Sequence, residues 1–173
     1  MFRLRELESK DLKTINGWRN DPALISLLGA PFRYINLSTE EAWFSGYMKS
    51  RGESVRCAIC EENSDEIIGL VSLMSVDYMN QSAELHIMIG NRENQGRGAG
   101  TFAIKEILRH AFQNMNLHRV ELMVMENNER AQRLYEKLGF IREGVKRKSH
   151  FKDGRFMDAI LYAVLKEEYY KGE

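Results

Sequence analysis

The stretch Asn94-Gln95-Gly96-Arg97-Gly98-Ala99-Gly100 marks where the hydrophobic period of the chain changes. Before it, Ala83-Glu84-Leu85-His86-Ile87-Met88-Ile89 alternates in twos, a strand whose odd positions are all apolar. After it, Phe102, Ile104, Ile107, Leu108, Ala111 and Phe112 recur at helical spacing as far as Asn114. A glycine-rich turn leading from strand to helix lets backbone amides at the helix N-terminus converge on an anion, and the missing Cβ atoms let a phosphate come close. Two well-known phosphate loops do not fit. Counting a dinucleotide loop G-x-G-x-x-G from Gly96 puts Thr101 at the third glycine, and the Gly-Lys-Ser/Thr of a P-loop is absent. Alone, the turn fits either a phosphate cradle or an ordinary tight turn.

Upstream, Phe2 to Leu7 alternates as a first strand, and Ser9 reads as the N-cap of a helix that turns Leu12, Ile15 and Trp18 inward. Asp21-Pro22 interrupts it. A second helix begins at Ser38-Thr39-Glu40-Glu41, read as a capping box between Ser38 and Glu41, with Trp43, Phe44, Tyr47 and Met48 on its apolar face. Strands at 55–61, 66–76 and 82–89 form an antiparallel meander. Downstream come a strand at Arg119 to Met125, a helix from Asn128 to Leu138 closed by Gly139, and strands at 141–150 and 155–165 joined by the Asp153-Gly154 hairpin signal.

The 173 residues fit one domain, 1–173, at roughly 150 residues per domain. The longest apolar run, Ala159 to Leu165, falls far short of the roughly 18 residues a membrane span requires. The N-terminus turns charged at once, so neither membrane nor export is expected and the cytoplasm is. Cys57 and Cys60 lie three apart in a strand and face opposite sides, which suits neither a disulfide nor a shared metal; no metal site is expected. Twenty-five basic and twenty-five acidic residues cancel, removing a general case for nucleic acid. Charge is nevertheless uneven: residues 1–91 carry 9 basic and 13 acidic groups, residues 92–155 carry 14 and 8. A basic segment around the glycine turn suits a small polyanion.

Gln95-x-x-Gly98-x-Gly100, followed by a strand, then Asn127 and Ala131-x-x-Leu134-Tyr135-Glu136-Lys137-Leu138-Gly139-Phe140, resembles the GNAT acetyltransferase superfamily. The opening Phe2-Arg3-Leu4-Arg5, Asp11-Leu12 and Trp18-Arg19-Asn20-Asp21-Pro22 are similar to its branch of ribosomal-protein N-terminal, spermidine and nucleotide-linked amino-sugar acetyltransferases. The resemblance implies an α/β fold with a mixed, mostly antiparallel sheet of about seven strands and about four helices. It implies acetyl-CoA as cosubstrate and an amine as acceptor, with association of copies a further option.

By position, amides of Ile87, Met88 and Ile89 would hold the pantetheine arm and acetyl carbonyl. Those of Gln95, Gly96, Arg97, Gly98, Ala99 and Gly100 would hold the pyrophosphate, with Arg97 adding charge. Asn127 would lie near the cofactor, and Arg130, Arg133 and Lys137 form a basic stripe shared between solvent and CoA phosphates. Tyr135 would protonate the departing thiolate. Glu84 would contact or help deprotonate the amine, whereas His86 reads as a packed strand histidine. Arg33 stands where a polyamine pocket would be acidic, so a small metabolite, an amino-sugar or a chain terminus is expected as acceptor. A spermidine or spermine acetyltransferase, and a non-catalytic CoA-binding protein of the same fold, stay open.

Overall fold

The computed structural model describes residues 1–90 and 92–171. The elements run β1 (Phe2–Glu6), α1 (Leu12–Arg19), α2 (Pro22–Ile25), α3 (Leu37–Lys49), β2 (Val55–Glu61), β3 (Ile67–Asp77), β4 (Ser82–Ile89), α4 (Ala99–Arg109), β5 (Arg119–Met125), α5 (Glu129–Lys137), β6 (Ile141–Lys152), β7 (Arg155–Leu165) and α6 (Lys166–Lys171). One seven-stranded sheet has the order β1-β2-β3-β4-β5-β7-β6, and every neighbouring pair is antiparallel except β4–β5. The mixed, mostly antiparallel architecture expected from the sequence is therefore present. Its four expected helices are the four longest; α2 and α6 add four and six residues. A π-helical turn, His110–Asn114, extends α4.

Helix starts differ from the sequence reading in detail. Asn36, not Ser38, caps α3: its side chain accepts from the Thr39 amide at 2.9 Å. Both residue types can cap, and the one in the extended conformation two residues earlier prevails. Glu40 is thereby carried inward to complete burial, with Arg19 Nε 3.4 Å away. At α1 the reciprocal capping pair is Glu8 with Asp11 across a short 3-10 turn, so Ser9 does not cap. Met48 lies outside the apolar face and is exposed, while Tyr47 is buried.

The two faces of the sheet carry separate cores. Val71, Leu73, Leu85 and Ile59 pack under α4 with Ile104, Ile107, Leu108 and Phe112; Ala58, Cys60 and Ile67 pack under α1 with Leu12, Ile15 and Trp18. Cys57 and Cys60 fall on these opposite faces, as their spacing requires, and both are free thiols. The Asp153-Gly154 turn joins β6 and β7 with both residues at positive φ, 51° and 78°, the geometry that matches strand twist.

Trp18 of α1 lies so close over the end of β4 that a Cβ on Gly90 would stand 2.0 Å from its ring. Only glycine permits that approach. Gly90→Ala should therefore cost ~3 kcal/mol or more by forcing the indole and α1 off the sheet, read as a fall in the denaturant midpoint.

Two tyrosine hydroxyls tie helices to strands: Tyr47 donates to Glu6 Oε1 at 2.9 Å, and Tyr162 to Glu136 Oε1 at 2.8 Å. Burial and the carboxylate partners push both phenols up to about 12. A phenol raised in the folded state favours folding below its unfolded value of about 10 and loses that contribution as pH rises. Thermal melts should accordingly show stability falling between pH 10 and 12, and Tyr47→Phe with Tyr162→Phe should flatten that decline.

Candidate active site

β4 and β5 run side by side only from Ser82 to Glu84, opposite Arg119 to Glu121. Beyond that point each stays paired on its outer side, Ile89 with Gly69 of β3 and Met125 with Ala159 of β7, but not with the other. The sheet is thus split by a wedge, and backbone groups of Leu85 to Ile89 on that side have no ladder partner. A cleft of about 1120 Å³ opens there.

One wall of the cleft is the glycine turn. Gly96 and Gly98 have φ of 83° and 91°, the left-handed region where a side chain is strained, and Gly98 is the N-cap of α4. No side chain caps this helix end, so its first amides, Ala99, Gly100 and Thr101, remain to meet an anion. Arg130 of α5 leans over the turn: its Nη1 donates to Gln95 Oε1 at 3.3 Å, and its Nη2 is 3.2 Å from where a Gly96 Cβ would be. Gln95, Gly96, Gly98, Gly100, Asn127 and Arg130 all line the cleft, as do Ile87, Met88 and Ile89. Arg97 does not. Its guanidinium pairs with Glu61 Oε1 at 2.7 Å, on the other side of the turn. Ala99 is buried and can contribute only its amide, while Arg133 pairs with Glu129 on the surface.

Tyr135 of α5 is buried against Phe140 and Tyr162, with ring centroids 5.7 and 6.3 Å away, and it lines the cleft. Burial alone pushes its phenol up to about 12. It therefore holds its proton throughout the neutral range.

Across the gap, Glu84 projects from the opposite face of β4 into the cleft, its side chain 38 % exposed. His86 Nε2 is 3.3 Å from Glu84 Oε1 and the imidazole is 57 % exposed, so it is a cleft residue and not the packed histidine its strand position suggested. Alternation puts it on Glu84's face, where both line the cleft. Cross-strand register extends this floor: Arg56 of β2 pairs with Ser72 of β3, which pairs with His86, and all three line the cleft. Arg56 and Arg19 both stack over Trp43 of α3, their guanidinium carbons 5.0 and 4.9 Å from the ring centroid. Neither Arg19, Arg56 nor Trp43 could be assigned to the site from the sequence, because what unites them is strand register and helix packing. Only the alternation of Arg56 with Ala58 in β2 signalled which face it takes.

The remaining wall is the segment after α2. Lys152 of β6 is buried, and its ammonium donates to the carbonyls of Ile25 at 2.7 Å and Ala30 at 2.6 Å. Asn20, the C-cap of α1, fixes the far end, bonding both polar groups of the Ile35 backbone. Arg33 lies on this segment, exposed and lining the cleft. No cluster of three or more histidine, cysteine or carboxylate side chains among the described residues could hold a metal ion.

This arrangement recurs in known proteins. Residues 2–141 match the family model described as an acetyltransferase (GNAT) domain. A spermidine N(1)-acetyltransferase of Vibrio cholerae is 32 % identical over 167 residues, covering 96 % of this chain and 94 % of its own. A crystal structure of the V. cholerae spermidine N-acetyltransferase with CoA and spermine superposes with a TM-score of 0.91 at 30 % identity, covering 98 % of both chains. A dodecameric form of the V. cholerae spermidine N-acetyltransferase gives 0.83 at 28 % identity, covering 97 % of this chain and 95 % of that one. A split sheet with an uncapped helix behind a glycine turn, a buried cleft tyrosine and these matches lead to one conclusion: the chain belongs to the acetyltransferase (GNAT) family.

Proposed function

We propose that the cleft transfers an acetyl group directly from acetyl-CoA to a primary amine, with Tyr135 as proton donor and Glu84 as the group that receives the amine. The observation that carries this reading is the gap between β4 and β5, with Tyr135 on one face of the sheet and Glu84 on the other. The chain is an N-acetyltransferase with acetyl-CoA as donor. Pyrophosphate against the first amides of α4, with Arg130 beside it, directs the pantetheine arm into the gap, where those amides of Ile87 to Ile89 that face away from β3 can accept it and polarise the thioester carbonyl. Asn127 stands at the β5 side of that path.

Transfer then needs few groups. The amine nitrogen, having lost its proton to Glu84, directly or through His86 or water, bonds to the carbonyl carbon. The C–S bond breaks as the tetrahedral centre collapses, the thiolate takes the Tyr135 proton, and the second proton of the amine nitrogen leaves to water, which returns a proton to Tyr135. No covalent enzyme intermediate is required. A polyamine acceptor is a second reading, favoured by the relatives with CoA-bound structures. The catalytic machinery is common to both. We further place the protein in the cytoplasm, where thiols such as Cys57 and Cys60 stay reduced, and infer that copies associate, as the dodecameric relative does.

Acetyl-CoA should stabilise the protein by about 2.7 kcal/mol at about 100 times its dissociation constant. Gly98→Val strains a left-handed φ and puts a side chain into the open space in front of the α4 amides, and should abolish that shift; an unchanged shift would separate the turn from phosphate binding.

Tyr135→Phe should lower kcat at least about tenfold with acetyl-CoA affinity nearly intact, since it removes a proton and little packing area. Because burial holds the phenol near 12, wild-type kcat should show no loss from tyrosine ionisation up to about pH 10. Glu84→Gln should instead lose most at low pH, where the free amine is scarce. Wild-type rates in both variants, measured where chemistry limits turnover, would return both residues to purely structural roles.

A further inference from the structure

The floor of the acceptor side holds more positive charge than the fold needs. Arg19 has a carboxylate, the fully buried Glu40 at 3.4 Å. Arg56 has none: among the described residues no carboxylate lies within ion-pair distance of it. Its Nε is buried without a hydrogen-bond partner, and its guanidinium carbon lies 5.0 Å from the Trp43 ring and 5.5 Å from that of Tyr47. Stacking on two rings fixes the plane of the guanidinium and leaves its edge toward the cleft. Arg33 adds a third cation on the same side. Against these, the only carboxylates lining the cleft among the described residues are Glu84 and Glu129, and Glu129 is held by Arg133.

We infer that the acceptor carries an anionic group, a carboxylate or a phosphate, at some distance from its amine, and that Arg56 is the residue that recognises it. The inference rests on the acetyltransferase reading above and adds the charge class of the acceptor. Register sets the span. Arg56 is two strands from His86, and Glu84 is two residues further along β4, so the backbone positions of Glu84 and Arg56 lie two strand spacings of ~4.8 Å across and ~7 Å along the sheet, about 12 Å in all, from which the reach of both side chains is subtracted. Ser72 lies midway, its hydroxyl available to a polar atom of the connecting chain. A polycation bound at Glu84 would instead place a second ammonium against Arg56, with Arg19 beside it, and lose favourable Coulomb energy.

The test compares acceptors that share a five-methylene chain and differ in terminal charge, with spermidine as a longer polycation, using CoA-thiol release by the full chain. The probes are 6-aminohexanoate, 5-aminopentyl phosphate, 1,5-diaminopentane and spermidine. Wild type should prefer at least one of the two anionic amines over both polyamines by about tenfold or more in kcat/KM, and which of them leads distinguishes carboxylate from phosphate. Arg56→Glu should invert the ranking. Arg56→Met should abolish it while leaving acetyl-CoA affinity by calorimetry and the melting temperature at or above wild type, because it removes a desolvated cation and keeps an apolar stem on Trp43. Preference for diaminopentane or spermidine by wild type overturns the inference. So does an unchanged ranking in Arg56→Glu, or acetylation of none of the probes by protein that binds acetyl-CoA. Failure to bind acetyl-CoA at all would remove the reading on which it rests, and calorimetry separates that case from the others.

Discussion

Everything in this structure is arranged around the failure of β4 and β5 to stay paired beyond Glu84 and Glu121. A sheet normally closes such a gap, because each unpaired amide and carbonyl removed from water costs free energy comparable to a lost hydrogen bond. Here closure is prevented from outside. β4 is locked to β3 as far as Ile89 and β5 to β7 as far as Met125, so the two halves of the sheet act as rigid wings. At Gly100 α4 packs against Leu134 of α5 and Ile87 of β4, 3.5 and 3.9 Å from where a Cβ would be, which fills the floor below the gap. The result is a slot whose polar backbone edge stays available.

The slot also sorts chemistry by face. Tyr135 belongs to the core under α4, whereas Glu84, His86 and Arg56 share the face under α1 and α3. A nucleophile and a leaving group approach and depart from different sides of a carbonyl carbon, so acid and base are best placed on opposite sides of the thioester. Their environments differ accordingly. The phenol is dry and keeps its proton, while the half-exposed Glu84 and His86 can pass a proton to water.

The sequence made the scaffold legible wherever one period ran uninterrupted. The alternation in 83–89, the apolar stripe of α4 and the Asp153-Gly154 turn each have one physical solution, and β2, β4, β5 and β7 lie where the alternation places them. Caps were less legible, since Ser38 and Asn36 are both competent and the choice depends on how the preceding chain is tied, here through Ile35 to Asn16 and Asn20. Glu40, to which the Ser38–Glu41 reading gave no role of its own, is committed in the fold to Arg19. Site residues carried by local motif, such as Gly98 and Tyr135, could be named in advance. Residues assembled by register could not, because Arg56, Ser72 and His86 are far apart in the chain and become neighbours only once β2, β3 and β4 are aligned.

That division bears on how relatives of one fold diverge in what they accept. The donor side is built from backbone: an uncapped helix end, two left-handed glycines and a strand edge, which many sequences can supply unchanged. The acceptor side is built from side chains standing on a floor whose register is fixed. Exchanging one of them alters the charge of the site without moving the wedge. Arg56 shows the cost of such a choice. Desolvation lowers its pKa, and stacking on Trp43 and Tyr47 offsets only part of what an ion pair would return. An apolar residue of similar length would pack against the same rings with no charge to desolvate. A cation held there without a carboxylate is thus a strain that the fold gains nothing from, and its only remaining compensation is an anion arriving through the cleft.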